Sequence, residues 1–572
     1  MKRRNFLGQF GLIGTGLLSP TFLQATYPSQ KNTEAAGELS SEVIIIGGGL
    51  GGVAAALAVC RNGSSAIMTE PTDWIGGQVS QQAVPPDEHT WIETHGRTKS
   101  YATFRTLVRN YYREHYALTP EAHNKKYLNP GNGSVSRLCH EPAVAAAVLQ
   151  SMLAPAINAG KLHILLNTQP VEASTNADRI SSVRCKNHIT GKDIILHGKQ
   201  FIDASEEGDL LPLTGTEYVI GAESQKQTGE PHAPEKPNPS NIQALTWCFA
   251  MDHLEGENHI IERPSMYEFW KNHTPALKPP WSGPLLSLNY SSPRDLKPKE
   301  LAFIPCGKTE PAPKTKSLNL WLYRRIIDRN NFIRKTYSSD ITIVNWPQND
   351  YMLGNITDVT EKVRNQNLFK AKQLSLSLLY WLQTEAPRPD GKQGWKGLRL
   401  RKDITGMDDG LAKYPYIRES RRIKAEYTIR EQDISKEERQ KVANDKSQQL
   451  LAKPFYDSVG IGYYHLDLHP STGGDNYIDT GSTPFQIPLG AMIPIRMENL
   501  VPGCKNIGTT HISNGSYRLH PVEWSIGEAA GTLCAFALTK NLSPRVIRNT
   551  PRHLKDYQSL LTKNGIELKW NL

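Results

Sequence analysis

The stretch EVIIIGGGLGGVAAALAVCRNGSSAIMTEP at residues 42–71 constrains the fold of this chain more than any other part of the sequence. Its opening run EVIII has no polar alternation, which is typical of a strand buried on both faces of a parallel sheet. Gly47, Gly49 and Gly52 follow in a G-x-G-x-x-G pattern, and a helix-forming run comes directly after them. A second strand then ends on Glu70. These parts predict the strand–helix–strand unit of a doubly wound α/β fold.

Each glycine of this pattern has a mechanical role in binding a dinucleotide. Gly47 permits a tight turn, Gly49 lets the backbone approach a pyrophosphate, and Gly52 allows the helix to lie close to the strand. The N-terminus of the helix faces the phosphate charge. Glu70, 18 residues beyond Gly52, would accept hydrogen bonds from ribose hydroxyls. Because a 2′-phosphate needs a basic residue there, the unit predicts NAD or FAD.

The continuation EPTDWIGGQVSQQ at residues 70–82 resembles flavoproteins, in which a second glycine pair follows the ribose-binding acid. The same resemblance is carried by KQFIDASEEGDLLPLTGTEYVIGAES (199–224), YPYIRESRRI (414–423) and NIGTTHISNGSYRLHPVEWSIGEAAGTLCAFAL (506–538). The chain thus resembles the secreted FAD-dependent oxidoreductases of the glutathione-reductase-like, two-dinucleotide-binding-domain flavoprotein superfamily. The resemblance extends over residues 42–540, and it is weakest between 240 and 400.

This resemblance implies FAD as the cofactor. It implies cofactor contacts at Gly47, Gly49, Gly52, Glu70, Gly76, Gly77, Gln78, Asp203, Arg518, Gly527 and Gly531. In the resembled fold, a helix beginning near Pro521 directs its positive end at the flavin pyrimidine and stabilises the reduced anion. The catalytic candidates are His511, His520 and Glu523, and the candidates for substrate binding are Arg418 and Arg421. A structural salt-bridge network around Glu419 is the alternative interpretation of the two arginines.

The predicted fold class is α/β. A Rossmann-like FAD-binding domain with a central parallel sheet, discontinuous in sequence, is joined to a mixed α+β substrate domain. The predicted boundaries are a signal peptide 1–25, a linker 26–41, the FAD-binding domain 42–240 and 455–540, a substrate-binding region 241–454 and a C-terminal tail 541–572. Alternation around turn residues over 175–205 predicts a small antiparallel meander, and the charged run 430–453 predicts an exposed helix.

The first residues, MKRRNFLGQFGLIGTGLLSPTFLQA, have a basic head, a glycine-broken apolar run and a small residue near Ala25. This pattern predicts a signal peptide and therefore an exported protein, periplasmic or secreted. Arg3-Arg4 followed by Asn-Phe-Leu resembles a twin-arginine signal, and an ordinary secretory signal is the alternative. No later run reaches the roughly 18 apolar residues of a membrane span, so we expect no stable membrane span.

Composition excludes several classes of partner. The net charge of +10 comes from basic residues that occur singly among acidic ones, which indicates a solvated surface and no nucleic-acid partner. Seven scattered cysteines form no CxxC pair, so neither a disulfide framework nor a metal site is expected. The stretch HLDLH at 465–469 predicts a strand, but it lacks a carboxylate set of metal-binding spacing. Only its residue type favours His95 as a covalent flavin attachment point.

The sequence therefore predicts an exported FAD-dependent oxidoreductase that passes a hydride from a small polar or sugar-like substrate to flavin N5. One alternative is a binding or structural protein whose FAD is not turned over. Another is an NAD-dependent dehydrogenase, which the glycine pair at 76–77 disfavours. The substrate, the electron acceptor, the oligomeric state and the choice between covalent and non-covalent FAD stay open, because one fold supports many chemistries.

Overall fold

The computed structural model describes residues 37–305, 317–443 and 450–572. The predicted signal peptide and residues 26–36 of the predicted linker lie outside the described residues.

Residues 37–240 contain the first glycine motif and the elements around it. The strands are β1 (Glu38–Ile46), β2 (Ala66–Glu70), β3 (Leu162–Leu166), β4 (Thr168–Asn176), β5 (Arg179–Asn187), β6 (Asp193–Asp203) and β7 (Tyr218–Val219). The helices are α1 (Leu50–Arg61), α2 (Lys99–His115), α3 (Pro120–Asn124), α4 (Pro142–Asn158), α5 (Leu210–Leu213) and α6 (Gln225–Thr228), with a 3₁₀ turn at Gly77–Val79.

The described residues between 241 and 454 form short strands around one long helix. The strands are β8 (Leu245–Thr246), β9 (Phe249–His253), β10 (Asn289–Ser291), β11 (Pro298–Glu300), β12 (Arg325–Ile327), β13 (Ile341–Val344), β14 (Asp350–Tyr351), β15 (Leu398–Leu400) and β16 (Arg422–Ile423). The helices are α7 (Tyr267–Asn272), α8 (Leu320–Tyr323), α9 (Glu361–Thr384), α10 (Lys402–Thr405), α11 (Glu431–Ile434) and α12 (Lys436–Val442), with 3₁₀ turns at Arg329–Asn331 and Pro347–Asn349.

Residues 455–572 return to the glycine motif. The strands are β17 (Ser458–Gly462), β18 (Leu466–Leu468), β19 (Ile478–Thr480), β20 (Phe485–Pro488) and β21 (Leu500–Pro502). The helices are α13 (His511–Tyr517), α14 (His520–Lys540), α15 (Pro544–Asn549) and α16 (Pro551–Lys563), with a 3₁₀ turn at Leu489–Met492.

The central sheet is parallel in the order β3-β2-β1-β6-β21. In its register, Val43 of β1 lies opposite Ala66 of β2, and Ile46 lies opposite Asp203 of β6. All residues of β1 from Val43 to Ile46 are buried, because parallel strands are covered on both faces. This confirms the predicted Rossmann-like sheet. Since β21 joins it from the far end of the chain, the sheet is discontinuous in sequence.

Strand β1 begins at Glu38, inside the segment predicted as a linker and before the predicted start at residue 42. The sequence ELSS at residues 38–41 is mostly polar and does not predict a strand by itself. These residues extend β1 because they pair with Ile195–Gly198 of β6. Strands β4, β5 and the first half of β6 form the predicted antiparallel meander.

The second sheet is antiparallel in the order β12-β13-β9-β15, and the 24-residue helix α9 belongs to the same mixed α+β region. The charged run at 430–453 differs from the predicted single exposed helix. Its described residues, 430–443 and 450–453, contain two short helices that meet at Ser435, and α11 is mostly buried. Glu230 explains the difference, because its carboxylate accepts the backbone N–H of Glu431 at 2.7 Å and holds α11 against the protein.

Helix α14 packs against α1 with very little space between the backbones. A Cβ added at Gly527 would lie 2.0 Å from the carbonyl oxygen of Gly51, and one at Gly531 would lie 2.3 Å from that of Ala55. The predicted C-terminal tail contributes to this arrangement, because the Tyr557 hydroxyl of α16 donates to the Ala529 carbonyl of α14 at 2.8 Å. In the described part of the chain, no helix combines the length and apolar character that crossing a membrane requires.

Candidate active site

The glycine loop follows β1 at the carboxyl edge of the parallel sheet, where α/β folds bind ligands. Gly47 has a φ of +99°, and a Cβ there would lie 2.3 Å from the carbonyl oxygen of Ala204. A Cβ at Gly52 would lie 1.9 Å from the carbonyl oxygen of Gly47. Both positions therefore require glycine for the turn and for helix–strand contact. A Cβ at Gly49 would lie 2.9 Å from Oε1 of Glu206.

The second glycine pair lies directly on this loop. Gly76 and Gly77 have φ values of +115° and +56°, and a Cβ at Gly77 would lie 3.0 Å from the Cα of Gly49. Gln78 follows, and its Nε2 donates to Oε2 of Glu523 at 2.7 Å and to the carbonyl of Arg518 at 3.0 Å. The segment Gly76–Gln78 thus connects the first glycine loop to the start of α14 through the Gln78 side chain.

A buried acidic group with one lysine lies beside the loop. Lys505 donates to Glu206, and its Nζ lies 3.9 Å from Oε2 of Glu523. Burial, with Glu206 adding to it and Lys505 opposing it, raises the pKa of Glu523 to about 7. Oε1 of Glu206, Oε1 of Glu523 and Oε1 of Gln78 are buried without a hydrogen-bond partner among the described residues. Three unpaired acceptors therefore surround the loop.

Two further predicted cofactor residues end the strands on either side of β1. Glu70 accepts the Gly48 N–H at 3.1 Å and both the N–H and the hydroxyl of Thr72 at 2.9 Å, and burial raises its pKa to about 8. Asp203 accepts the Ser205 N–H and hydroxyl at 3.1 and 2.6 Å and the Leu210 N–H at 3.0 Å. Asp203 therefore holds the turn after β6.

His520 begins α14. Its Nδ1 accepts the N–H of Asp87 at 3.0 Å, so the neutral ring carries its proton on Nε2. That Nε2 is buried and has no hydrogen-bond partner in the described ranges. Burial lowers the pKa of His520 to about 4, so the ring is neutral near pH 7. In this tautomer His520 offers a hydrogen-bond donor rather than a base.

A cluster of buried charges, here called the arginine cluster, lies next to the start of α14. Its members are Arg324, Arg418, Arg518, Asp87, Asp350, Asp467, His469 and Tyr416. Arg518 donates to the Tyr416 hydroxyl at 2.8 Å, and its Nη2 lies 3.0 Å from Oδ2 of Asp467. Arg418 donates to Thr246 at 2.8 Å and pairs with Asp350 at 3.1 Å. Sequence reasoning anticipated Arg418 and Arg518 as site residues but placed them in separate segments.

His469 and Asp350 form a dyad within this cluster. Nδ1 of His469 lies 2.6 Å from Oδ2 of Asp350, and burial, reinforced by Arg418, lowers the pKa of His469. Although burial opposes it, Arg418 and His469 lower the pKa of Asp350. The ionised Asp350 accepts the proton on Nδ1, which leaves a lone pair on Nε2. This Nε2 lies 3.8 Å from Asp467, beyond hydrogen-bond distance.

Two other sequence candidates lie in different surroundings. Nδ1 of His511 lies 2.9 Å from Glu419, which also binds Arg422. Burial opposes both pKa shifts. Glu419 nevertheless raises the pKa of His511, and His511 lowers the pKa of Glu419 to about 2. Arg421 pairs with Asp358 at 2.7 Å, outside the arginine cluster. Both groups therefore have the contacts of structural ion pairs.

A surface cavity of about 570 Å³ has Tyr464 and His465 in its wall, and no member of the arginine cluster lines it. Burial, together with Asp87 and Asp467, raises the pKa of Tyr464. One wall is aromatic, with the rings of Trp91 and Tyr463 5.3 Å apart. His95 belongs to the same aromatic group, 6.0 Å from the ring of Trp570.

Sequence reasoning missed the dyad, Arg324 and Asp87. HLDLH forms β18 as predicted, but its histidines bind separate partners, since His465 lies 2.5 Å from Asp479 and His469 binds Asp350. Across the described residues, no group of three or more His, Cys, Asp or Glu side chains could hold a metal ion. Only the pairing of these remote segments in space would have revealed the dyad.

The parallel sheet, the double glycine loop and the buried charges beyond it define a dinucleotide-binding enzyme. Residues 42–561 match the family described as FAD dependent oxidoreductase. The chain belongs to this family: it is an FAD-dependent oxidoreductase, and its cofactor is FAD. No curated protein sequence is significantly similar to it.

Two of the solved structures that match this chain show distant similarity to it. A geranylgeranyl bacteriochlorophyll reductase-like protein from Thermoplasma acidophilum has 10% identity and a TM-score of 0.31, with 93% of this chain and 85% of that chain covered. The L-proline dehydrogenase from P. horikoshii has 15% identity and a TM-score of 0.16, and the alignment covers 32% of this chain and 24% of that chain. The chain thus spans about a quarter of the length of that dehydrogenase.

The residues around the loop fit FAD. The unpaired oxygens of Glu206, Glu523 and Gln78 can accept hydrogen bonds from ribityl and ribose hydroxyls. Lys505 and the N-terminus of α1, which no described side chain caps, suit the pyrophosphate. Gly527 and Gly531 contact the backbone of α1, and their contact with the cofactor stays a prediction.

Proposed function

We propose that the protein oxidises a small polar substrate bound in the arginine cluster, and that the substrate's hydride passes to FAD. When bound, FAD supplies the hydride acceptor at flavin N5. The observation that carries the proposal is the connection between the glycine pair and the cluster. Gln78 bonds to the Arg518 carbonyl, and Arg518 pairs with Asp467.

His469 is the group that we propose to accept the substrate's hydroxyl proton. Its proton is held on Nδ1 by Asp350, and this fixes the lone pair on Nε2. A neutral histidine oriented by a carboxylate is a suitable general base near neutral pH. His520 is the proposed hydrogen-bond donor, since its Nε2 is buried without a partner among the described side chains and backbone.

The test is an anaerobic screen of the FAD-loaded protein against polyols, sugars and hydroxy acids, monitored by the visible absorbance of the flavin. We expect at least one of these classes to bleach the flavin, and His469→Asn to slow the bleaching. Dithionite is the control for a reducible flavin, and His197→Asn, at a 42% exposed side chain, is the matched variant. If dithionite reduces the flavin and no compound in the panel does, the proposal is wrong.

We further propose that the protein is exported, supported by the basic head and Arg3-Arg4 of the sequence. Replacing both arginines by lysine should retain the FAD-loaded precursor in the cytoplasm if the twin-arginine route is used. Lys2→Arg is the control. Unchanged export of the double variant would argue against this route, and detection of the wild type only in the cytoplasm would argue against export.

A further inference from the structure

Arg324 is a buried arginine whose hydrogen bonds within the described chain are all long. The residue is 7% exposed. Its Nη1 lies 3.4 Å from the carbonyl of Pro85, and its Nη2 lies 3.5 Å from each carboxylate oxygen of Asp87. Its Nε has no hydrogen-bond partner among the described residues. A guanidinium stays charged and has five N–H donors, so these contacts satisfy Arg324 poorly.

The other two arginines of the cluster differ in this respect. Arg418 donates to two acceptors at 2.8 Å, and Arg518 donates at 2.8 and 2.9 Å. Their Nε atoms also lack partners among the described residues, but their Nη atoms are well bonded. Within the cluster, Arg324 is therefore the arginine with no described hydrogen bond shorter than 3.4 Å, and its Nη atoms are the least satisfied.

Arg324 is also linked to the start of α14 through Asp87. Its guanidinium carbon is 5.0 Å from the ring of Tyr323. Although burial opposes the shift, Asp87 and neighbouring tyrosines, with Tyr464 of the cavity wall among them, raise the pKa of Arg324. Asp87 joins it to Nδ1 of His520. A ligand of Arg324 would thus lie next to the start of α14, where FAD binding is predicted.

We propose that Arg324 binds a carboxylate of the substrate, which makes the substrate a small hydroxy acid rather than a neutral alcohol. This inference rests on the proposed function. A guanidinium edge with Nε and Nη matches the two oxygens of a carboxylate. Three aspartates balance the charges of the three arginines in the cluster. A substrate carboxylate therefore adds one unbalanced negative charge. The hydroxyl proton taken up by His469 would offset that charge during oxidation.

The experiment measures binding of acetate and of its neutral analogue acetamide to the FAD-loaded protein. The readouts are the perturbation of the flavin spectrum and the shift in melting temperature. We expect acetate to bind and acetamide not to bind. Arg324→Gln should weaken acetate binding at least tenfold, and Arg324→Lys should retain part of it. Arg329→Gln, at an exposed arginine, is the matched control.

Equal binding of acetate and acetamide by the wild type would overturn the inference, and this comparison needs no variant. Equal acetate binding by a folded Arg324→Gln protein would overturn it as well. The two proposals fail in different ways. If a neutral polyol bleaches the flavin and acetate does not compete, only the carboxylate inference fails. If acetate binds through Arg324 and nothing in the panel bleaches the flavin, only the oxidation of a hydroxyl substrate fails.

Discussion

Nδ1 of His469 lies 2.6 Å from Oδ2 of Asp350, although the two residues are 119 positions apart in sequence. β14 begins with Asp350, and His469 directly follows β18. The fold therefore assembles a dyad with the hydrogen-bond pattern of a general base from two segments that carry no common motif.

The first prediction concerns this dyad. His469→Asn should slow flavin reduction by roughly 10²–10⁴-fold, the usual contribution of a general base. In the wild type, the reduction rate should rise with pH through the pKa of His469, which burial and Arg418 lower below its ordinary value. Stopped-flow absorbance across pH measures both effects. A variant with the wild-type rate and an unchanged pH profile would exclude His469 as the base.

The second prediction concerns the contact between α1 and α14. Gly527→Ala places a Cβ 2.0 Å from the Gly51 carbonyl oxygen, so the helices must separate. We expect a loss of roughly 1–3 kcal/mol in the free energy of unfolding, together with weaker FAD binding. Gly481→Ala is the control, since its Cβ would meet nothing closer than 3.6 Å. Denaturant unfolding measures the difference, and equal stability of both variants would contradict this account of the packing.

The third prediction concerns Glu70. Burial raises its pKa from 4.5 to about 8, so the folded apoprotein retains a proton that the unfolded chain releases. Its contribution to stability is present below about pH 4.5 and is lost as pH rises through 8. Glu70→Gln cannot ionise, so the variant should gain stability relative to the wild-type apoprotein as pH rises.

The same substitution tests the predicted ribose contact. Fluorescence titration at pH 9, where Glu70 is ionised, should show at least tenfold weaker FAD binding by Glu70→Gln, because an amide accepts a ribose hydroxyl less well than a carboxylate. Glu300→Gln, at an exposed residue, should leave both FAD binding and the pH dependence of unfolding unchanged. Unaltered FAD affinity in Glu70→Gln would show that Glu70 does not bind the ribose of the cofactor.

The fourth prediction is that His511 stabilises the fold and takes no part in the reaction. Although burial opposes the shift, Glu419 raises the pKa of His511, so the ion pair stabilises the protein fully below the unfolded pKa of about 6.5. This stabilisation is lost as pH rises through the higher folded pKa. His511→Gln should therefore cost roughly 1–3 kcal/mol at pH 6 and less at pH 9. The folded variant should reduce its flavin at the wild-type rate, and a large loss of rate would return His511 to the catalytic candidates.

Local sequence was sufficient for the elements around the cofactor. The strand–glycine–helix unit ending at Glu70, the meander before Asp203 and the helix that begins at His520 are all determined by short-range patterns. Such patterns are local because a tight turn, a buried strand and a helix start each depend on residues only a few positions apart. The glycine spacing by itself indicated a dinucleotide.

Tertiary structure decided the arrangement of charges. The polar start of β1 is a strand because Glu38–Ser41 pair with β6, and no local pattern shows that pairing. Arg418 and Arg421 are three residues apart, yet only Arg418 enters the arginine cluster with Arg324 and His469. Hydrogen bonds and desolvation act across a few ångströms of space, whatever the separation in sequence. The sequence by itself determined the glycine loop at which FAD binding is predicted, and the fold determined which buried charges lie beside that loop.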